Sequence, residues 1–142
     1  MVTVRHLLAS KKSILFTVAP DAPVLEAVRS MAEHGVGALL VMREGTLTGI
    51  VSERDYARKV VLHGRASADT PVAQIMSSPV LTVSPEASVQ HCMVLMTERR
   101  IRHLPVIENG RVIGVVSIGD LVKSLIEDQQ RTIGQLESYI HG

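Results

Sequence analysis

The chain has 142 residues, 46% of them hydrophobic, and a net charge of +1, a composition that excludes disorder and leaves apolar surface for self-association. A pI near 8.0 and an aromatic complement of Phe16, Tyr56 and Tyr139 exclude the basic, base-stacking surface that unpaired nucleic acid needs. The longest apolar stretches, such as 38–42, fall far short of the ~20 residues of a bilayer crossing, and no charged-then-apolar leader opens the chain, so a cytoplasmic protein without membrane contact is expected.

In chain order, a lead-in turn of helix is predicted over Val4 to Leu8, followed by a longer connection, Ala9 to Thr17, that carries Lys11 and Lys12. Pro20 closes a short strand, with Asp21 beside the start of the next helix. Val24, Val28 and Met31 recur at helical spacing, Ala38 to Met42 reads as a buried strand, and a Glu44-Gly45 turn leads to a second strand, Leu47 to Val51. Tyr56 to Leu62 supplies a closing helix, and the Gly, Ala and Ser content of His63 to Thr70 marks a linker. A second lead-in, Val72 to Met76, opens the same succession again: Pro85 and Glu86, a helix on Val89, Met93 and Met96, then strands at Leu104 to Ile107 and Val112 to Val116. The Asn109-Gly110 turn between those strands is the strongest short hairpin signal available. Cys92 falls on the apolar stripe of its helix and is expected to be buried as a small hydrophobe.

The closing helix of the second half, from Leu121 to Ile126, runs on into a tail. Val122, Leu125, Ile126, Gln129, Thr132, Ile133, Leu136, Tyr139 and Ile140 recur at steps of three and four, which makes a stripe that needs a cover. The cover is either the chain itself or a second copy, and a homodimer is expected because the tail exceeds what one unit shelters. Gly134 lies inside the stripe and permits a bend.

The succession is a repeat. Thr17 to Asp55 aligns with Thr82 to Asp120 without a gap, at an offset of 65 residues, and both copies end on Gly-apolar-Val-Ser-x-x-Asp. The endings are Gly49 to Asp55 and Gly114 to Asp120. One reading of Ser-x-x-Asp after a strand is structural: the serine and the acid satisfy the free amides of a helix start. The other is a ligand clamp, since helix-start amides bind phosphate and an aspartate accepts both hydrogen bonds of a ribose cis-diol. Ser52 with Asp55, and Ser117 with Asp120, are the candidate clamps.

The duplicated ending, the strand Arg102-His103-Leu104-Pro105-Val106 and the lead-in Ile75-Met76-Ser77-Ser78-Pro79-Val80 resemble a pair of CBS domains, the Bateman module. The resemblance covers about Val4 to Ile126. It implies an α/β (α+β) fold of two βαββα repeats packed with pseudo-twofold symmetry, over 1–66 and 67–126, with a helical extension over 127–142. It also implies clefts that bind adenosine ligands such as AMP, ADP, ATP, NAD or S-adenosylmethionine. The terminal aspartate would hold ribose, the serine would touch phosphate, and backbone near the first strand would read adenine. Carried onto this chain, one site uses Ser52 and Asp55 with Ile14 and Leu15, and the other uses Ser117 and Asp120 with Pro79 and Val80.

The basic residues differ between copies. Arg102-His103 in the second stands where the first has Gly37-Ala38, and Glu53-Arg54 in the first stands where the second has Ile118-Gly119. Arg54 and Arg102, Arg102 facing the inner side of its hairpin beside Leu104, are the leading phosphate contacts, followed by Lys12, Arg58 and His103; the resemblance implies phosphates that point towards a shared central cleft, where one copy's cations would serve the other's ligand. The six histidines show no metal-ligand spacing, so no zinc site is expected, and no nucleophile elbow, P-loop or complete dinucleotide fingerprint is present, so no catalytic residues are assigned. A stand-alone nucleotide-responsive module is the favoured function. A ligand-free dimerisation module, or the regulatory subunit of a separate enzyme such as an inosine monophosphate dehydrogenase, stands beside it.

Overall fold

A computed structural model describes residues 2–11 and 14–141. Its elements are α1 (Val4–Ala9), β1 (Thr17–Val18), α2 (Val24–His34), β2 (Ala38–Arg43), β3 (Thr46–Ser52), α3 (Glu53–Tyr56), a wider helical turn Ala57–Val61, a 3-10 turn Val72–Gln74, α4 (Val89–Arg99), β4 (His103–Glu108), β5 (Arg111–Ser117) and α5 (Ile118–His141). The chain divides into two compact units: Ile14–Leu81, and Thr82–Gly142 together with the N-terminal segment that carries α1.

In the first unit β1 runs parallel to β2, and β2 pairs with β3 as an antiparallel hairpin. Its turn is Glu44-Gly45, both at positive φ (50° and 80°), the backbone hand that matches the twist of the flanking strands. Val18, Val24, Ala27, Met31, Leu39, Val41 and Val51 fill the core beneath the sheet, with Val72 and Ile75 added by the second lead-in. Backbone bonds tie that lead-in down: Val72 N–H donates to the Ala22 carbonyl at 2.9 Å, and Ser77 N–H donates to the Ile50 carbonyl at 2.9 Å.

The second unit repeats the plan. β4 and β5 form the hairpin, the Asn109-Gly110 turn has φ of 52° and 76°, and Val83 makes a parallel bridge to Val106 where the first unit has β1. Val83, Val89, Cys92, Met96, Leu104, Val106 and Val116 are buried at positions equivalent to the first core. Both hairpins shift register at the same place, between Val41 and Met42 and between Val106 and Ile107. The lead-in here is α1: Val4 N–H donates to the Ala87 carbonyl at 2.9 Å, and the Arg5 guanidinium pairs with Glu86 at 2.7 Å and with Glu108.

The compact units therefore are not the repeats as they run in sequence, 1–66 and 67–126. Each lead-in packs with the hairpin of the other repeat, and each does so against a strand glycine. A Cβ on Gly49 would stand 2.5 Å from the Met76 sulfur, and one on Gly114 would stand 2.6 Å from Leu8 Cδ2, so a larger residue at either place would force the lead-in side chain to move.

Other local expectations shift. Asp21 and Glu86 lie upstream of helices that start at Val24 and Val89, and Glu86 is taken by Arg5. The 63–70 segment is fastened rather than free: Thr70 is buried, its hydroxyl donates to the Ala66 carbonyl at 2.8 Å, and Tyr56 and Ser67 share a hydrogen bond at 2.9 Å. Gly134 introduces no break, since α5 runs unbroken past it. No helix among the described residues is long and apolar enough to cross a membrane.

Candidate functional site

Each hairpin's last strand ends in a serine that caps the helix behind it. Ser52 N–H donates to Asp55 Oδ2 at 2.9 Å, the Ser52 hydroxyl donates to the same oxygen at 3.0 Å, and Asp55 N–H donates back to Ser52 Oγ at 3.2 Å. In the second unit Ser117 N–H donates to Asp120 Oδ2 at 2.8 Å and Asp120 N–H donates to Ser117 Oγ at 3.2 Å. These are reciprocal capping boxes, so the structural reading of the motif holds in both copies. The first residue of each helix is anchored as well: Glu53 N–H donates to the Gly37 carbonyl at 3.0 Å and Ile118 N–H donates to the Arg102 carbonyl at 2.8 Å. Gly37 and Arg102 thus stand at matched places beside the two serines.

Both aspartates also carry an ammonium partner. Lys59, one helical turn beyond Asp55, stands 3.3 Å from Asp55 Oδ1 and donates to the Ile75 carbonyl at 2.9 Å. The position equivalent to Lys59 is Ser124, which is buried, and the second unit draws its cation from elsewhere. Lys11 reaches Asp120 Oδ2 at 2.8 Å and the Val115 carbonyl at 2.8 Å. Burial acts to raise the Asp120 carboxyl, but the hydrogen bonds from Lys11 and from Ser117 N–H outweigh it and hold the group below the usual carboxylate range.

Of the other candidates, Ile14 and Leu15 share a unit with Ser52 and Asp55, Ile14 at 61% exposure and Leu15 half-buried. Pro79, exposed, and Val80, half-buried, belong to that unit too, not to the unit of Ser117 and Asp120. Arg54 and Arg58 are exposed, while Gly37, Ala38 and His103 are half-buried. Arg102 is exposed and lies just ahead of β4. Lys12 lies outside the described residues. Sequence reasoning missed Lys11 and Lys59. The second had a legible signal, a lysine four residues beyond an aspartate on a helix, whereas the first is set by how α1 packs. Cys92 is fully buried, and burial pushes its thiol up.

A duplicated strand–helix–hairpin–helix unit with a capped Ser-x-x-Asp at each hairpin's end defines a tandem-repeat module. The CBS domain model matches it twice, over residues 4–62 and 72–127, and the chain belongs to the CBS-domain family. It is 45% identical over 127 residues to the mitochondrial CBS domain-containing protein CBSX3 of Arabidopsis thaliana, covering 86% of this chain and 62% of that relative's length. A solved CBS-domain protein from Burkholderia ambifaria MC40-6 is 50% identical with a TM-score of 0.88, covering 90% of this chain and 96% of that one. The CBS-domain pair of protein MJ0100, solved in complex with 5′-methylthioadenosine and S-adenosyl-L-methionine, shares the fold at 23% identity and a TM-score of 0.80, over 90% of this chain and 98% of that one.

Proposed function

We propose that the chain is a non-enzymatic sensor of adenosine nucleotides, of the AMP, ADP, ATP or NAD class, which acts on a separate partner or on its own assembly. The observation that carries this reading is the pairing of Asp55 with Lys59 and of Asp120 with Lys11 at equivalent strand ends. A carboxylate accepts both hydroxyls of a ribose cis-diol, and an adjacent ammonium serves phosphate as a point charge. Membership of a family whose members bind adenosine-containing ligands supports the ligand class. Arg54 and Arg58 in the first unit, and Arg102 and His103 in the second, are the further phosphate contacts, and Ile14 and Leu15 offer the aliphatic wall for adenine in the first. Signalling follows if the ligand binds two conformations unequally. The expected compartment is the cytoplasm, while the Arabidopsis relative is a mitochondrial protein.

The capping boxes favour a second reading, a structural module in which Ser-x-x-Asp only secures helix starts. Thermal denaturation with AMP, ATP and NAD separates the two. Ligand at 100 times its dissociation constant adds about 2.7 kcal/mol of stability, and a melting curve that none of the three moves at millimolar concentration sinks the sensor reading.

A further inference from the structure

From Ile118 to Leu125 the helix α5 has a buried side: Leu121 and Ser124 are covered and Leu125 is half-buried. From Ile126 to Ile140 no residue is buried or half-buried. This outer half is apolar along one line, with Ile126, Ile133, Leu136 and Ile140 exposed by 50%, 55%, 58% and 73%. It holds together as a helix although isolated helices of about 15 residues are marginal in water and Gly134 sits in its middle.

The spacing of that line identifies what covers it. Val122, Ile126, Gln129, Ile133, Leu136 and Ile140 follow steps of four and three alternately, a period of 3.5 that keeps a seam facing another helix through a left-handed supercoil. In heptad terms Ile126, Ile133 and Ile140 occupy the a position, and Val122, Gln129 and Leu136 occupy d. Isoleucine fills every a position, and within a parallel assembly β-branched residues at a, with leucine at d as at Leu136, favour two strands over three or four. The charges agree, since Glu127, Asp128 and Arg131 all fall on b, c and f, away from the seam, and Asp128 and Arg131 pair with each other at 3.8 Å. Across a parallel pair the flanking g and e positions bring Leu125 to Gln130 and Thr132 to Glu137, with no like charges opposed. Gly134 falls on b, where a Cβ would meet nothing within 4 Å.

We propose that residues 126–140 form a parallel two-stranded coiled coil with the same segment of a second copy, with Gln129 as the single polar seam residue that fixes register. The test is sedimentation equilibrium on the full chain. A mass of twice 15.4 kDa for the wild type and a monomer for Ile133→Asp support the pairing; a monomeric wild type, or an assembly that Ile133→Asp leaves intact, overturns it. Orientation is read from Ile126→Cys and Ile140→Cys, made separately and mildly oxidised, the native Cys92 being buried. Parallel strands set each cysteine against its own copy, so both variants cross-link. An antiparallel pair sets 126 against 140, and failure of either variant to cross-link overturns the parallel arrangement. All three positions are exposed in the single chain, so the body's melting curve, unchanged in the variants, shows that folding is not what was lost. Gln129→Leu moves the monomer–dimer midpoint to lower concentration, and a move to higher concentration contradicts the seam assignment.

Discussion

Lys11→Met removes an ammonium and keeps most of the aliphatic stem, so it isolates the bond that fastens the N-terminal segment to Asp120. The wild-type contact comprises a charge-assisted hydrogen bond to Asp120 Oδ2 at 2.8 Å and one to the Val115 carbonyl at 2.8 Å. Taking about 2 kcal/mol for the first and about 1 kcal/mol for the second, less about 2 kcal/mol for ordering the lysine side chain, leaves about 1 kcal/mol. That corresponds to a fall of about 4 °C in Tm for a chain of this length. The loss depends on pH in a fixed direction. Asp120 has a folded pKa below its unfolded value, so its stabilising contribution is complete above the unfolded value of about 3.9 and disappears as pH falls through the folded one. Urea denaturation of wild type, Lys11→Met, Asp120→Asn and the double variant at pH 7, repeated in the acid range, measures the coupling. A coupling of about 1 kcal/mol at pH 7 that shrinks once the carboxylate is protonated is expected. Additive single variants at pH 7, or a loss that persists unchanged in acid, would refute the pairing.

Gly35 ends α2 at φ 63°, with nothing within 4 Å of where a methyl would stand, so Gly35→Ala should cost about 1 kcal/mol from backbone conformation alone, read as a lower urea midpoint with unchanged slope. Gly134→Ala goes the other way: an open site inside a helix should gain about 1 kcal/mol, seen as stronger helical circular dichroism and a higher Tm at fixed protein concentration.

The repeat made most of the fold legible, because each element has a local cause. Apolar spacing placed α2 and α4 and the Asn109-Gly110 pair placed the second hairpin, whereas the closing helices start at Glu53 and Ile118, directly behind their capping serines and ahead of the Tyr56 and Leu121 expected from apolar spacing. What was not legible depends on packing at long range. Leu8 of the first lead-in packs against Gly114 and Met76 of the second against Gly49; because the two glycines are equivalent, they mark that each hairpin receives a lead-in but not which one. The two strand glycines were the available trace, since nothing local in a strand asks for a glycine. The same exchange explains the site. Lys11 reaches Asp120 only because its segment packs with the second hairpin, and it takes a role that Lys59 fills from within the first repeat. Arg100 follows the same logic: it ends α4 at φ 55°, where the equivalent Gly35 does so without a side chain, so the backbone shape followed the repeat even where the residue type did not.

If the two Ser-x-x-Asp pairs are nucleotide sites as well as caps, ligand binding must depend on their carboxylates. Isothermal titration of AMP, ATP and NAD into wild type, Asp55→Asn, Asp120→Asn and the double variant measures that dependence, because asparagine keeps an oxygen for the serine N–H but loses the carboxylate that a ribose diol needs. Binding to the wild type is expected, reduced by each single variant at its own site and abolished in the double variant. Undiminished binding in the double variant, or no binding to the wild type at millimolar ligand, would contradict the dual role.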